Sequence, residues 1–198
     1  WEFLFGSRQS TKMNLCDWID YEKTIEVLNS VIKDGISISA PFPILGLIDD
    51  PQLQKNCSEI YASTYSKQEL SDEIKTANTK NKPRVGYFSA DFHNHATLHL
   101  MLEVFKNHNC SRFDFYAFSF GPLTGDAWQQ EAKACFKEFI DVRGKSDAQV
   151  AELSRQLSID IAIDLKGFTR DSRTGIFANR AAPIQINYLG YPGTMGAD

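Results

Sequence analysis

Between residues 84 and 193, five short apolar runs are separated by four amphipathic ones. "RVGYFSA" (84–90), "FDFYAFSFG" (113–121), "EFIDV", "IDIAIDLKG" (159–167) and "IQINYLGYPG" read as strands. "TLHLMLEVFKNH", "DAWQQEAKACF", "SDAQVAELSRQLS" and "RTGIFANRA" read as helices, the third opened by Ser146 as an N-cap. Strands that alternate with helices of about ten residues make βαβ units, and such units assemble into a parallel sheet. In an open parallel sheet, ligands bind beyond the carboxyl ends of the strands. Three unusual segments fall there: "SADFHNHAT", "DLKGFTRDSR" and "LGYPGTMG". They lie far apart in sequence, and the sheet would bring their tips to one edge.

The preceding part is different. Residues 1–66 read as helical. "DWIDYEKTIEVLNSVIKDG" places Trp18, Tyr21, Ile25, Leu28 and Ile32 on one helix face, with Asp17 as N-cap and Gly35 just past the end. Pro41 and Pro43 break the next segment. Asp50 then caps a helix opened by Pro51, with a stripe of Leu53, Cys57, Ile60, Tyr61 and Tyr65. Residues 67–83 are polar, end at Pro83, and read as a partly helical linker.

Composition narrows the classes. With 198 residues, 42% apolar and 23% charged, the chain suits one ordinary domain, or one with a small appendage. A net charge of -4 argues against a general electrostatic nucleic-acid binder. No run of eighteen apolar residues and no signal-peptide core occurs, so no membrane association is expected. Cys16, Cys57, Cys110 and Cys135 are scattered without a CxxC pair, which predicts reduced thiols and a cytoplasmic protein. The chain starts at Trp1 and stops at "GTMGAD", as a piece of something longer would.

Three of the four histidines, His93, His95 and His99, fall within seven residues. His95 and His99 share a helix face if both are helical, and His93 or Asp91 would complete a zinc set. The spacing is a poor zinc match, because no HExxH pattern is present. A histidine acting as general base needs no metal, since the ring titrates near neutrality. His95 is expected at the strand-to-helix junction, where the positive helix end keeps its ring neutral. His99 should sit one turn later on the same helix and support packing or line the cleft, and His93 should be the most exposed. Gly190, Gly193 and Gly196, with Pro192, make a loop able to bring backbone amides near a ligand, or simply a tight turn. Lys166, Arg170, Arg173 and Arg180 gather around the fourth strand tip, as an anion site or as a solvated basic face. Neither GxGxxG after the first strand nor GxxxxGK[ST] occurs, which counts against nicotinamide and P-loop readings.

"RVGYFSADFHNHAT" and "IDLKGFTRDSRTGIFANRAAPIQINYLGYPGTMGAD", with the aromatic strand between them, resemble the O-linked N-acetylglucosamine transferase family, family 41 of the glycosyltransferases. The resemblance covers residues 84–198 and is most specific in "APIQINYLGYPGTMG". Ala96 and Ala181 stand where the family usually has proline, Tyr188 replaces a tryptophan, and Met195 replaces Thr or Ser. The upstream helices (1–66) are similar to the end of a tetratricopeptide-repeat region and its linker. The resemblance implies the first Rossmann-like half of a GT-B architecture, with a second half beyond Asp198. It further implies metal-free transfer of a sugar from a UDP-sugar, foremost UDP-GlcNAc, to Ser or Thr hydroxyls of protein acceptors. His95 matches the family's active-site histidine. Gly167 and Thr169 match its glycine–threonine turn near the sugar, and Leu189, Gly190, Pro192, Gly193 and Thr194 match the loop lining its cleft. A fucose-transferring relative shares much of the pattern.

The fold expectation is therefore an α/β, Rossmann-like parallel sheet preceded by a small helical segment. The functional expectation is half of a protein O-glycosyltransferase, inactive by itself, with no cofactor, no nucleic-acid partner and no membrane. A non-catalytic interaction module on the same scaffold is the alternative, and a metal-dependent hydrolase the weaker one.

Overall fold

All five expected strands form, and every pairing is parallel. The computed structural model describes residues 2–65 and 82–197. The strands are β1 (Arg84–Ser89), β2 (Asp114–Ser119), β3 (Glu138–Asp141), β4 (Ile161–Asp164) and β5 (Ile184–Asn187). Their order across the sheet is β3-β2-β1-β4-β5. The chain builds outward from β1 to β3, crosses back, and restarts at β4 on the other side of β1. The boundary between β1 and β4 is thus the point where strand order reverses, the usual place for a ligand crevice.

The helices preceding and following these strands are α1 (Leu4–Asn14), α2 (Tyr21–Lys33), α3 (Pro41–Leu45), α4 (Pro51–Ala62), α5 (Ala96–Lys106), α6 (Ala127–Ala134), α7 (Asp147–Gln156) and α8 (Thr174–Ala178). Both sheet faces are covered. Val85 and Tyr87 of β1 pack with Phe115 and Ala117 of β2 under Leu98, Met101, Leu102 and Phe105 of α5. Phe88 faces the other way, with Tyr116, Phe118 and Ala162, against Val150 and Ala151 of α7 and Ile176 of α8. This two-sided burial is why the strands read as nearly continuous apolar runs. Gly86 of β1 allows it: a Cβ there would lie 3.0 Å from the Phe118 ring. The helix α7 starts as expected, with Ser146 and Gln149 forming a reciprocal capping box.

The fourth strand is shorter than the run "IDIAIDLKG" predicts. Asp164 ends it: its carboxylate accepts the Lys166 backbone N–H at 2.8 Å and turns the chain. The chain divides into two compact units, Trp1–Tyr65 with Pro192–Asp198, and Ser66–Tyr191. The first has its own core of Leu28, Ile32, Ile44, Leu47, Ile48, Leu53 and Cys57. There Asp50 caps α4 through Gln52 and Leu53, as expected. Asp17 does not cap α2. Its carboxylate accepts from Ile19 N–H at 3.0 Å inside a turn, and the helix begins three residues later after Asp20. Gly35, at φ 76°, takes the left-handed position just past the end of α2. The polar run 67–83 lies mostly outside the described residues.

Candidate functional site

Two loops meet at the β1–β4 boundary. Ser89 ends β1, and its hydroxyl accepts the Asp91 N–H at 2.9 Å, turning the chain away from the strand. The loop closes at His95, the N-cap of α5, whose Nδ1 accepts the Thr97 N–H at 3.2 Å. His95 thus stands at the expected strand-to-helix junction, its side chain 41% exposed. From the other side comes the loop after Asp164. Lys166 reaches across from it, and its Nζ lies 2.8 Å from Asp91 Oδ2. Asp91 Oδ2 also accepts the Thr97 hydroxyl at 3.3 Å and lies 3.5 Å from His95 Nδ1. One carboxylate oxygen thereby joins an ammonium, a hydroxyl and an imidazole.

The electrostatics follow from burial. Asp91 and Lys166 are both nearly sealed from solvent, and they pair with each other. Asp164 is buried too. Burial holds its carboxyl above the usual carboxylate range, although N–H groups of Lys166 and Gly167 and the Lys166 charge pull the other way.

The expected site residues distribute as follows. Gly167 is buried at φ 53°, where its N–H faces the Asp164 carboxylate. Thr169 donates its hydroxyl to Lys166 O at 2.9 Å, closing the same loop. Leu189 is exposed at φ 69°, and Gly190 follows it with no room for a side chain. A Cβ on Gly190 would lie 2.7 Å from the Leu165 carbonyl carbon, so the β5 loop rests directly on the β4 loop. His95, Asp91, Lys166, Gly167, Thr169 and Gly190 therefore belong to one connected set at the strand ends. Pro192, Gly193 and Thr194 fall in the other compact unit, where Thr194 Oγ1 accepts the Gly196 N–H at 3.2 Å.

Several expectations need correction. His99, not His93, is the exposed one of the three histidines. His99 lies on α5 as expected, with its ring edge-on to Trp128 at 4.0 Å and Nε2 2.9 Å from Asn94 Oδ1. Those contacts draw it along the helix surface instead of inward. His93 is half-buried, its ring 5.7 Å from that of His95. Among the described residues, no group of three or more His, Cys, Asp or Glu side chains is placed to hold a metal ion. Two of the four cations near β4 are already paired. Lys166 is committed to Asp91, and Arg173 binds Asp147 and the carbonyls of Val142 and Lys145. The backbone at Arg180 is itself held by Arg155, which donates to the carbonyls of Asn179 and Arg180.

Two features escaped the sequence reading. The Asp91–Lys166 pair spans 75 residues, and only the strand order brings its halves together. Gly121, after β2, packs against the β1 loop so closely that a Cβ would lie 2.9 Å from Ala90 Cα. A glycine directly after an aromatic strand is the one local hint of that approach.

Comparison with known proteins identifies the family. The sequence profile of Glycosyl transferase family 41 matches residues 55–198. The chain is 32% identical over 200 residues to the probable UDP-N-acetylglucosamine–peptide N-acetylglucosaminyltransferase SEC of Arabidopsis thaliana, covering 92% of this chain and 20% of that protein. It is 30% identical over 200 residues to the UDP-N-acetylglucosamine–peptide N-acetylglucosaminyltransferase of Caenorhabditis elegans, covering 92% of this chain and 17% of that one. It therefore spans about a fifth of the length of these relatives. A mutant of the Thermobaculum terrenum O-GlcNAc transferase superposes with a TM-score of 0.68 at 24% identity, over 89% of this chain and 35% of that one, and so shares the fold. By the extent of the profile match and the identity across nearly its whole length, the chain belongs to glycosyl transferase family 41.

Proposed function

We propose that the chain is the first half of the catalytic region of a protein O-GlcNAc transferase, working as part of a longer protein. The substrates are UDP-GlcNAc and the Ser or Thr hydroxyls of protein acceptors. The observation that carries the reading is the placement of His95 at the order reversal of the sheet, as the N-cap of α5, beside the buried Asp91. A hydroxyl that attacks an anomeric carbon must lose its proton, and the departing diphosphate must have its charge stabilised. His95 supplies the first requirement. We assign the backbone of the Gly167–Thr169 turn and of Leu189 and Gly190 to the lining of the cleft, and completion of the donor site to the second half of the catalytic region. No metal takes part in the proposed reaction. Residues 1–198 alone do not turn over, because half of the cleft is needed to orient and dehydrate the donor. The relatives' names support the donor and the peptide acceptor. We further assign a cytoplasmic location, and residues 1–66 to the end of a tetratricopeptide-repeat region and its linker. Among the described residues, no helix is long and apolar enough to cross a membrane.

The test is substitution of His95 in the longer protein. Its side chain both caps α5 and carries the imidazole, so the replacement must separate the two roles. His95→Asn keeps a good N-cap and removes the ring. It should lower kcat by about 10²–10⁴-fold, the usual effect of losing a general acid or base, with an unchanged melting temperature. Near-normal turnover of His95→Asn refutes the reading.

A further inference from the structure

A buried ion pair is poor evidence of stabilisation, because well-packed apolar residues often serve as well or better. The pair between Asp91 and Lys166 therefore asks for another reason. Each side chain is only 7% exposed, and the pair bridges the β1 and β4 loops at the order reversal.

The geometry around His95 Nδ1 supplies the reason. The atom has two polar neighbours of opposite kind. The Thr97 N–H, at 3.2 Å, donates to it, and the Asp91 Oδ2 carboxylate oxygen, an acceptor, lies 3.5 Å away at ion-pair distance. When Nδ1 accepts from Thr97, the neutral ring carries its proton on Nε2, and the outward nitrogen is a donor. That form cannot take a proton from a hydroxyl. When Nδ1 is protonated and faces Asp91, Nε2 presents a lone pair and can act as a base. Asp91 is thus the group that makes the basic tautomer available.

A lone carboxylate at that distance would also favour imidazolium, which is useless as a base. Lys166 offsets this. Its ammonium sits 2.8 Å from the same oxygen, closer than the ring does. The other charged or titratable groups on this side are His93, at 5.7 Å between ring centroids, Asp164, which lies in the field of Lys166 and is held by burial above the usual carboxylate range, and Asp126 at the start of α6. The Asp126 carboxylate is occupied by Thr124 and by the N–H groups of Asn94 and Gln129. It leaves the Asp91–Lys166 pair as the local control.

We propose that Asp91 and Lys166 are a positioning pair: Asp91 selects the Nε2-basic tautomer of His95, and Lys166 offsets the charge that Asp91 presents to the ring. The proposal rests on His95 being the base of the transfer reaction, but its test does not. In the longer protein, the rate of carbethoxylation of His95 by diethylpyrocarbonate, followed by peptide mass spectrometry against pH, reports the fraction of neutral ring. Lys166→Met leaves Asp91 unbalanced and should move the midpoint of that curve up by about one pH unit. Adding Asp91→Asn should cancel the rise. The kcat/KM of Lys166→Met should fall about tenfold on the acid side of the profile and far less on the alkaline side, a pattern that simple loosening would not produce. If Lys166→Met does not fold, Asp91→Asn alone decides, because the unpaired ammonium should move the midpoint down. An unmoved midpoint in the folded variants overturns the proposal whatever the activity. A moved midpoint with full activity in His95→Asn upholds the pair and overturns the assignment of His95 as base.

Discussion

Gly190→Ala is the sharpest structural test of how the strand-end loops are held. Gly190 does not adopt a positive φ, so alanine meets no backbone penalty there and the cost is steric. Its Cβ would lie 2.7 Å from the Leu165 carbonyl carbon and 2.9 Å from Lys166 Cα, and nearer still to the Leu165 oxygen. Carbon atoms in ordinary contact are about 3.5–4.0 Å apart, so the two loops must separate by roughly 1 Å. Both sides of the clash are backbone, and neither can rotate away. Overpacking of this kind costs about 1–3 kcal/mol, and an unyielding contact belongs at the upper end. For a chain of this size, about 3 kcal/mol lowers Tm by roughly 6–12 °C. Thermal melts followed by far-UV circular dichroism would measure it. Gly144→Ala is the control, because nothing lies within 4 Å of the added carbon. A Gly190→Ala protein that melts with that control would refute the close approach and the loop placement drawn from it.

Other outcomes follow from single side chains. His108 stacks on Phe115 at 3.7 Å, with Nε2 3.1 Å from the Tyr87 hydroxyl and Nδ1 buried, and burial lowers its titration below the ordinary 6.5. The unfolded chain then binds a proton that the folded one refuses, so stability is full above pH 6.5 and declines as pH falls below it; urea midpoints at pH 7 and pH 5 should differ, and less so in His108→Phe. Asp50 caps α4 with its carboxylate at 2.9 Å and 3.1 Å from the N–H groups of Gln52 and Leu53. Asp50→Ala should cost about 1 kcal/mol in chemical denaturation, and Asp50→Asn only a fraction of that.

What the sequence discloses depends on whether the signal is local. Alternation of period and hydropathy revealed all five strands and the helices between them, because two-sided burial leaves its mark on each run separately. Ser146 and Asp50 were readable as caps for the same reason: donor and acceptor lie within three residues. Asp17 misled because a carboxylate before an apolar stripe fits either a cap or a turn, and only the path of the chain through Asp20 decides. The exposure of His99 depended on Trp128, which lies on another helix. Most of the candidate site is of this second kind. His95 was recognisable from its motif, but Lys166, the partner of its neighbour Asp91, follows a strand that becomes adjacent only through the β1–β4 pairing. Periodicity identifies strands without giving their order.

The charge at the order reversal can then be apportioned. Three buried ionisable groups meet there: Asp91, Asp164 and Lys166. One ammonium cannot neutralise two carboxylates, and the geometry decides between them. Lys166 Nζ bonds to Asp91 Oδ2, while Asp164 receives only backbone N–H groups and the more distant field of the same lysine. Burial accordingly pushes Asp164 toward its protonated form. Its folded value is above its unfolded value of 3.8, so ionising it as pH rises through that window costs stability. The turn it makes survives either way, because one carboxyl oxygen can still accept the Lys166 N–H. Asp91 instead has side-chain partners, the Lys166 ammonium and the Thr97 hydroxyl. Two carboxylates of the same type are thus set to different tasks by where Lys166 points. Exchanging the neighbours of Asp91 and Asp164, not the residues themselves, is what would disable the site.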